Sequence, residues 1–168
     1  VEVTPYGTFG SFGTSKYGVK VSGETGQVNY LLDSNRFDTN GSRDHSGASR
    51  NTSSAKLSFV TDYGTRITLA GNFFRTSAED PLGLSQTDVN NKYQGAGINA
   101  LSWNSRKYVE QNQGGLDLLQ KIDSVSFVKF ASYYGHRVQD GYQAPSLTTA
   151  LYTAGNALGG TIYKGGEI

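Results

Sequence analysis

Cysteine is absent from all 168 residues. That excludes a disulfide scaffold, a thiolate metal site and a cysteine nucleophile. Methionine is absent too, and the sequence opens on Val1, so it is read as a processed or excised chain. No apolar run approaches the length of a transmembrane helix, and no basic stretch leads into an apolar one as in a signal peptide. Neither charge dominates: Lys+Arg 15 against Asp+Glu 14 leaves +1. A nucleic-acid footprint needs a basic excess or stripe, so the expectation is no nucleic-acid partner. Proline occurs only 3 times and hydrophobic residues make up 36%, a low share for a globular domain. Transmembrane β-barrels also have a low average, because their strands alternate apolar and polar residues.

What is present is glycine, 22 residues, and aromatics, 12%. Disordered chains are poor in aromatics, so the chain is expected to fold. The dominant pattern has period two. Tyr17, Val19 and Val21 alternate with Lys16, Lys20 and Ser22; Leu57 and Phe59 with Lys56 and Ser58; Ile67, Leu69 and Phe73 with Arg66, Thr68 and Asn72; Val128, Phe130 and Tyr134 with Lys129, Ala131 and Tyr133. A further strand is expected over Arg106 to Gln120, and Ile162 and Tyr163 begin another. No convincing helix is found. Short turns at Gly23–Gly26, Asp62–Gly64 and Ile122–Ser124 alternate with long segments at Asp38–Arg50, Arg75–Asn104 and from Gln139 onward. The expected fold class is therefore all-β, an antiparallel meander of seven to eight strands. Tight turns at one end and long loops at the other match outer-membrane barrels. A β-sandwich would share the strand pattern, with its apolar face in the core.

Several segments in order resemble the barrel of TonB-dependent siderophore receptors. They are Gly10-Ser11-Phe12-Gly13-Thr14, Asn29-Tyr30-Leu31-Leu32-Asp33, Arg43-Asp44-His45-Ser46, Ala55-Lys56-Leu57, Asp62-Tyr63-Gly64-Thr65-Arg66-Ile67-Thr68-Leu69, Asp80-Pro81-Leu82-Gly83-Leu84, Gln111-Asn112-Gln113-Gly114-Gly115-Leu116 and Tyr133-Tyr134-Gly135. Each is weak alone; the ordered set covers nearly the whole chain. The resemblance implies that residues 1–168 are a partial receptor barrel, its first strands, cut from a plugged barrel of about 22. The plug, the remaining strands and a terminal aromatic are missing from it. It further implies transmembrane strands in a bacterial outer membrane, capture of a ferric siderophore, contact with outer-membrane lipid, and coupling to the TonB system through the missing plug. Two alternatives stay open: a complete eight-stranded barrel acting structurally or as a pore, and a soluble β-sandwich module that binds carbohydrate or acts as an adhesin.

Enzyme chemistry has little support. There is no nucleophile elbow, P-loop or dinucleotide fingerprint. His45 and His136, the only histidines, are too far apart in sequence to suggest a metal site, and Asp44-His45-Ser46 are chain neighbours rather than a triad. The expectation is a protein that is not an enzyme and holds no metal or cofactor. An iron–siderophore surface would suit arginine and aromatic side chains. The candidate ligand-binding residues on that basis are Arg43, His45, Arg50, Arg75, Tyr93, Trp103, Arg106, His136, Arg137 and Tyr142, with Phe74 beside them. The plain alternative for each is a solvated loop residue or an interfacial aromatic.

Overall fold

The computed structural model describes the backbone of residues 1–91, 93–143 and 156–167, and the side chains of the first two of these ranges. The strands are β1 (Glu2–Gly10), β2 (Thr14–Thr25), β3 (Val28–Thr39), β4 (Ala48–Val60), β5 (Arg66–Glu79), β6 (Arg106–Lys121), β7 (Phe127–Tyr142) and β8 (Asn156–Glu167). They form one antiparallel sheet in chain order. Two short helices, α1 (Gln86–Asn90) and α2 (Ile98–Trp103), lie between β5 and β6, in a segment expected to be irregular.

The strands form where residues alternate, and also where they do not. β4 starts at Ala48, before its alternation is visible. Ser49, Arg50, Asn51, Thr52 and Ser53 pair with Ser77, Thr76, Arg75, Phe74 and Phe73. Polar side chains on both faces leave no periodic signal, but the backbone ladder needs only N–H and C=O groups. The loop between β3 and β4 is therefore shorter than the expected Asp38–Arg50.

The register sorts the side chains into two faces. Val21, Leu32, Ala55 and Gly71 form one cross-strand row, and Tyr30, Leu57, Leu69 and Leu116 another, with Phe59, Ile67, Leu118 and Phe130 beyond it. This is the apolar face. Lys20, Asp33, Ser54 and Asn72 belong to the other face, as do Lys56, Arg66 and Lys129. Neither face is covered among the described residues. Leu32, Leu57, Leu69 and Phe130 remain exposed, and the buried apolar residues are Ala96, Ala100 and Val109. The small core thus lies at one end, under the β5–β6 loop.

The sheet does not close. β1 pairs with β2 and β8 with β7, and the two outer strands do not pair with each other. This overturns the expectation of transmembrane strands in a large outer-membrane barrel, and equally of a complete eight-stranded one. An open sheet has two edges of unpaired N–H and C=O groups. In hydrocarbon each such group costs several kcal/mol, so lipid-exposed edges do not occur there. The partial TonB-dependent receptor, the outer-membrane localisation and the lipid contact fall with the barrel. The described strands enclose no lumen, and the expected capture of a ferric siderophore and coupling to TonB through a plug lose their support with it. No helix among the described residues is long and apolar enough to cross a membrane. Of the three readings, the binding module fits an open sheet best, although the structure has one sheet where a sandwich has two.

Candidate functional site

The organised part of the molecule is the end where β1–β2, β3–β4 and β5–β6 connect. At the β1–β2 turn, Phe12 and Gly13 both have positive φ, and the Asn40 amide donates to the Phe12 carbonyl at 2.9 Å. This ties the first turn to the β3–β4 loop.

Arg43 ties that loop to the next. Its Nη1 donates to the Leu82 carbonyl at 2.8 Å; Nη2 donates to Pro81 at 3.2 Å and to Gly95 at 3.0 Å; Nε also reaches Gly95 at 3.3 Å. A planar guanidinium can serve several carbonyls at once because its donors form a fixed fork. Beside it the Asp44 amide donates to the Gln94 carbonyl at 2.9 Å. His45 follows at φ 55 and turns its ring inward, with 10% of its side chain exposed. Its Nε2 lies 2.8 Å from the Ser105 carbonyl. A carbonyl only accepts, so Nε2 carries the proton. Nδ1 faces Glu79 Oε1 at 3.7 Å. Glu79 in turn accepts from the Gly47 amide at 3.1 Å, while its own amide donates to the Gly47 carbonyl at 2.9 Å.

The β5–β6 loop is built on two caps. Ser85 caps α1: its hydroxyl accepts from the Asp88 amide at 3.1 Å, and the Asp88 carboxylate accepts from the Ser85 amide at 3.2 Å. The Ser85 hydroxyl also donates to the Asp88 carboxylate at 2.6 Å; this bond first, and the Ser85 amide second, hold the Asp88 carboxyl below its usual range. The Ser85-x-x-Asp88 spacing is a capping-box signature that could have marked the helix from sequence. α2 ends on Asn104 in the left-handed region, and the Ser105 amide then returns to the Ala100 carbonyl at 2.9 Å. This places Ser105 in the core, 1% exposed, with its Oγ unpartnered. Asparagine tolerates left-handed φ better than most residues.

The candidates from sequence therefore separate. Arg43 and His45 face inward and hold loops together. Tyr93 and Trp103 sit on the outer surface of the cap, 47% and 41% exposed. Arg106 lies at its base, stacked 3.9 Å from the Tyr142 ring centroid and donating to the Asn104 carbonyl at 3.0 Å. Arg75 is on the apolar-face side, paired with Glu110 at 2.8 Å, and Arg50 is on the opposite face against Phe37. Phe74 shares the Arg50 side of the sheet. His136 and Arg137 are chain neighbours on opposite faces; Arg137 reaches Gln139 at 3.4 Å. The structure thus brings Arg43, His45, Tyr93, Trp103, Arg106 and Tyr142 to one end, the first two facing inward, and scatters the rest. Of the third long segment, expected from Gln139 onward, residues 139–142 belong to β7 and β8 takes up at Asn156, so it is shorter than expected; residues 144–155 lie outside the described residues.

The pattern did not reveal Val89, Ile98 and Leu101, which lie exposed on the two helices of the same loop. Asn99 and Asn104 are exposed there as well. Among the described residues no group of three or more His, Asp or Glu is placed to hold a metal. No family model matches the chain.

Proposed function

We propose that the chain is a non-catalytic binding module. The sheet is its scaffold, the loop cap is its recognition surface, and its ligand class is carbohydrate. The observation that carries this reading is the pairing of two part-exposed rings, Tyr93 and Trp103, with amide side chains on a loop tied down at many points. Rings offer flat apolar area at little cost in side-chain entropy. Asn91, Asn99 and Asn104 add neutral donors and acceptors. Within residues 84–106, acidic Asp88 stands against basic Lys92 and Arg106. So nearly neutral a surface favours a neutral, polyhydroxylated ligand over a polyanion. Anchoring matters because a loop that is ordered beforehand loses little entropy on binding.

Trp103 is the single tryptophan, so its emission reports this surface alone. Titrating a panel of neutral oligosaccharides should shift or quench that emission saturably for at least one member. Trp103→Phe and Tyr93→Ala should weaken the binding, read by calorimetry, by about tenfold or more, as truncated aromatic anchors do. A panel that leaves the emission unmoved, or binding indifferent to both substitutions, refutes the reading.

A further inference from the structure

The chain's near-neutral charge conceals an uneven distribution over the sheet. On the apolar face the cations have acidic neighbours: Arg36 binds Asp38 at 2.6 Å, Arg75 binds Glu110, and Arg106 pairs in register with Glu79. The opposite face is basic. Lys16, Lys20, Arg50, Lys56, Arg66 and Lys129 all project from it, with Asp33 and Asp117 in its middle and Glu2 and Glu24 on its first two strands. Glu24 lies two strands from Ser58 in the same cross-strand row, on the side away from Asp117. Asp33 and Asp117 are already engaged. Asp33 accepts from the Tyr6 hydroxyl at 3.0 and 3.1 Å and from the Asn35 amide group at 2.9 Å. Asp117 binds Lys129 at 3.4 Å. Lys20, Lys56 and Arg66 are left without a hydrogen bond or ion pair among the described residues.

Two of these free cations line one groove. Near the short-turn end of the basic face, a cavity of about 610 Å³ is bordered by Lys56, Arg66, Asn29, Ser58, Thr68 and Asp117. Lys56 pairs in register with Ala70, four residues along β5 from Arg66. At the rise of a strand that places the two cations roughly 13 Å apart along the strand direction. The Ser58 and Thr68 hydroxyls, bonded to each other at 3.1 Å, occupy the floor between them. An extended peptide repeats its side-chain direction every second residue, so carboxylates at positions i and i+4 match that separation.

We infer that this groove binds an extended acidic peptide segment, with one carboxylate on Lys56 and a second on Arg66. The charge complementarity, the spacing and the polar floor carry the inference. It is independent of the carbohydrate reading, because the groove lies at the opposite end of the sheet from the cap.

The test uses a fluorescently labelled, capped serine–glycine peptide with glutamates at its first and fifth positions. Anisotropy should show saturable binding that weakens with added salt and vanishes when both glutamates become glutamine. Lys56→Gln and Arg66→Gln should each weaken it by about fivefold, the size of one exposed charge pair. Lys56→Arg should retain it. Lys107→Gln removes an equal charge from the same face at the far end and should change affinity less than twofold. Circular dichroism on each variant confirms that the sheet is intact. Three outcomes overturn the inference: no binding, an equal loss in Lys107→Gln and Lys56→Gln, or an oligothymidylate that binds more tightly than the peptide. The second means a diffuse field and the third a nucleic-acid surface.

Discussion

Removing the Arg43 guanidinium should open the loop cap while leaving the sheet in place. The side chain is half-buried and makes four hydrogen bonds to three carbonyls, those of Pro81, Leu82 and Gly95. A hydrogen bond to a charged group contributes about 1.5–3 kcal/mol, and an abandoned acceptor adds its desolvation cost where water cannot reach it. The four bonds share one ion and the site is partly wet, so the total is well short of their sum. Arg43→Ala should therefore cost about 2–4 kcal/mol of local stability. Native-state hydrogen exchange reads this directly. The Asp44 amide, bonded to Gln94, and the Ser105 amide, bonded to Ala100, should exchange about 30- to 1000-fold faster, at tenfold per 1.4 kcal/mol. Amides in the middle of β4 and β5 should not change. Arg43→Lys keeps the charge but loses the fork, and should recover less than half of the effect. If Arg43→Lys behaves as wild type, charge rather than geometry holds the cap. If the sheet amides accelerate with the cap amides, the two are one cooperative unit and the reasoning fails.

The Arg75–Glu110–Tyr108 cluster predicts a pH window. The Tyr108 hydroxyl, at 2.7 Å, and Arg75 hold the Glu110 carboxyl below its usual range, and the bond to Glu110 pushes the Tyr108 phenol up. Glu110's contribution is present above the ordinary carboxylate range and is lost as pH falls through its lowered value. Tyr108's is present below the ordinary phenol range and is lost as pH rises through its raised value. Phenolate absorbance should show Glu110→Gln returning one tyrosine towards the ordinary value, and an unchanged titration would discount the bond. Two glycines separate strain from collision. Gly64 has φ 77 with nothing near an added Cβ, so Gly64→Ala should cost about 1–2 kcal/mol in denaturant unfolding. Gly41, also at φ 77, would drive a Cβ into Ser46, so Gly41→Ala should cost more; equal losses would show that Ser46 moves aside freely.

Period-two alternation determined the all-β class, the order of the strands and the split between Leu57, Leu69 and Phe130 on one face and Lys56, Arg66 and Lys129 on the other. That information is local, because a strand reverses its side chains at every residue whatever it pairs with. The capping box at Ser85 and Asp88 was equally present in the sequence, but its two helices are too short to show a helical period. Closure was not written there. Alternating loops and turns suit a barrel and an open meander alike, and only the pairing of β1 with β8 distinguishes them; that pairing is absent. The start of β4 also depended on its neighbours, since Ser49 to Ser53 become a strand through the ladder to β5. The cap shows the same dependence most sharply. Arg43 and His45 read in sequence as exposed ligand anchors. Tertiary structure turned them inward, because the carbonyls of Pro81, Leu82, Gly95 and Ser105, distant along the chain, needed donors once their loop had folded over the end of the sheet.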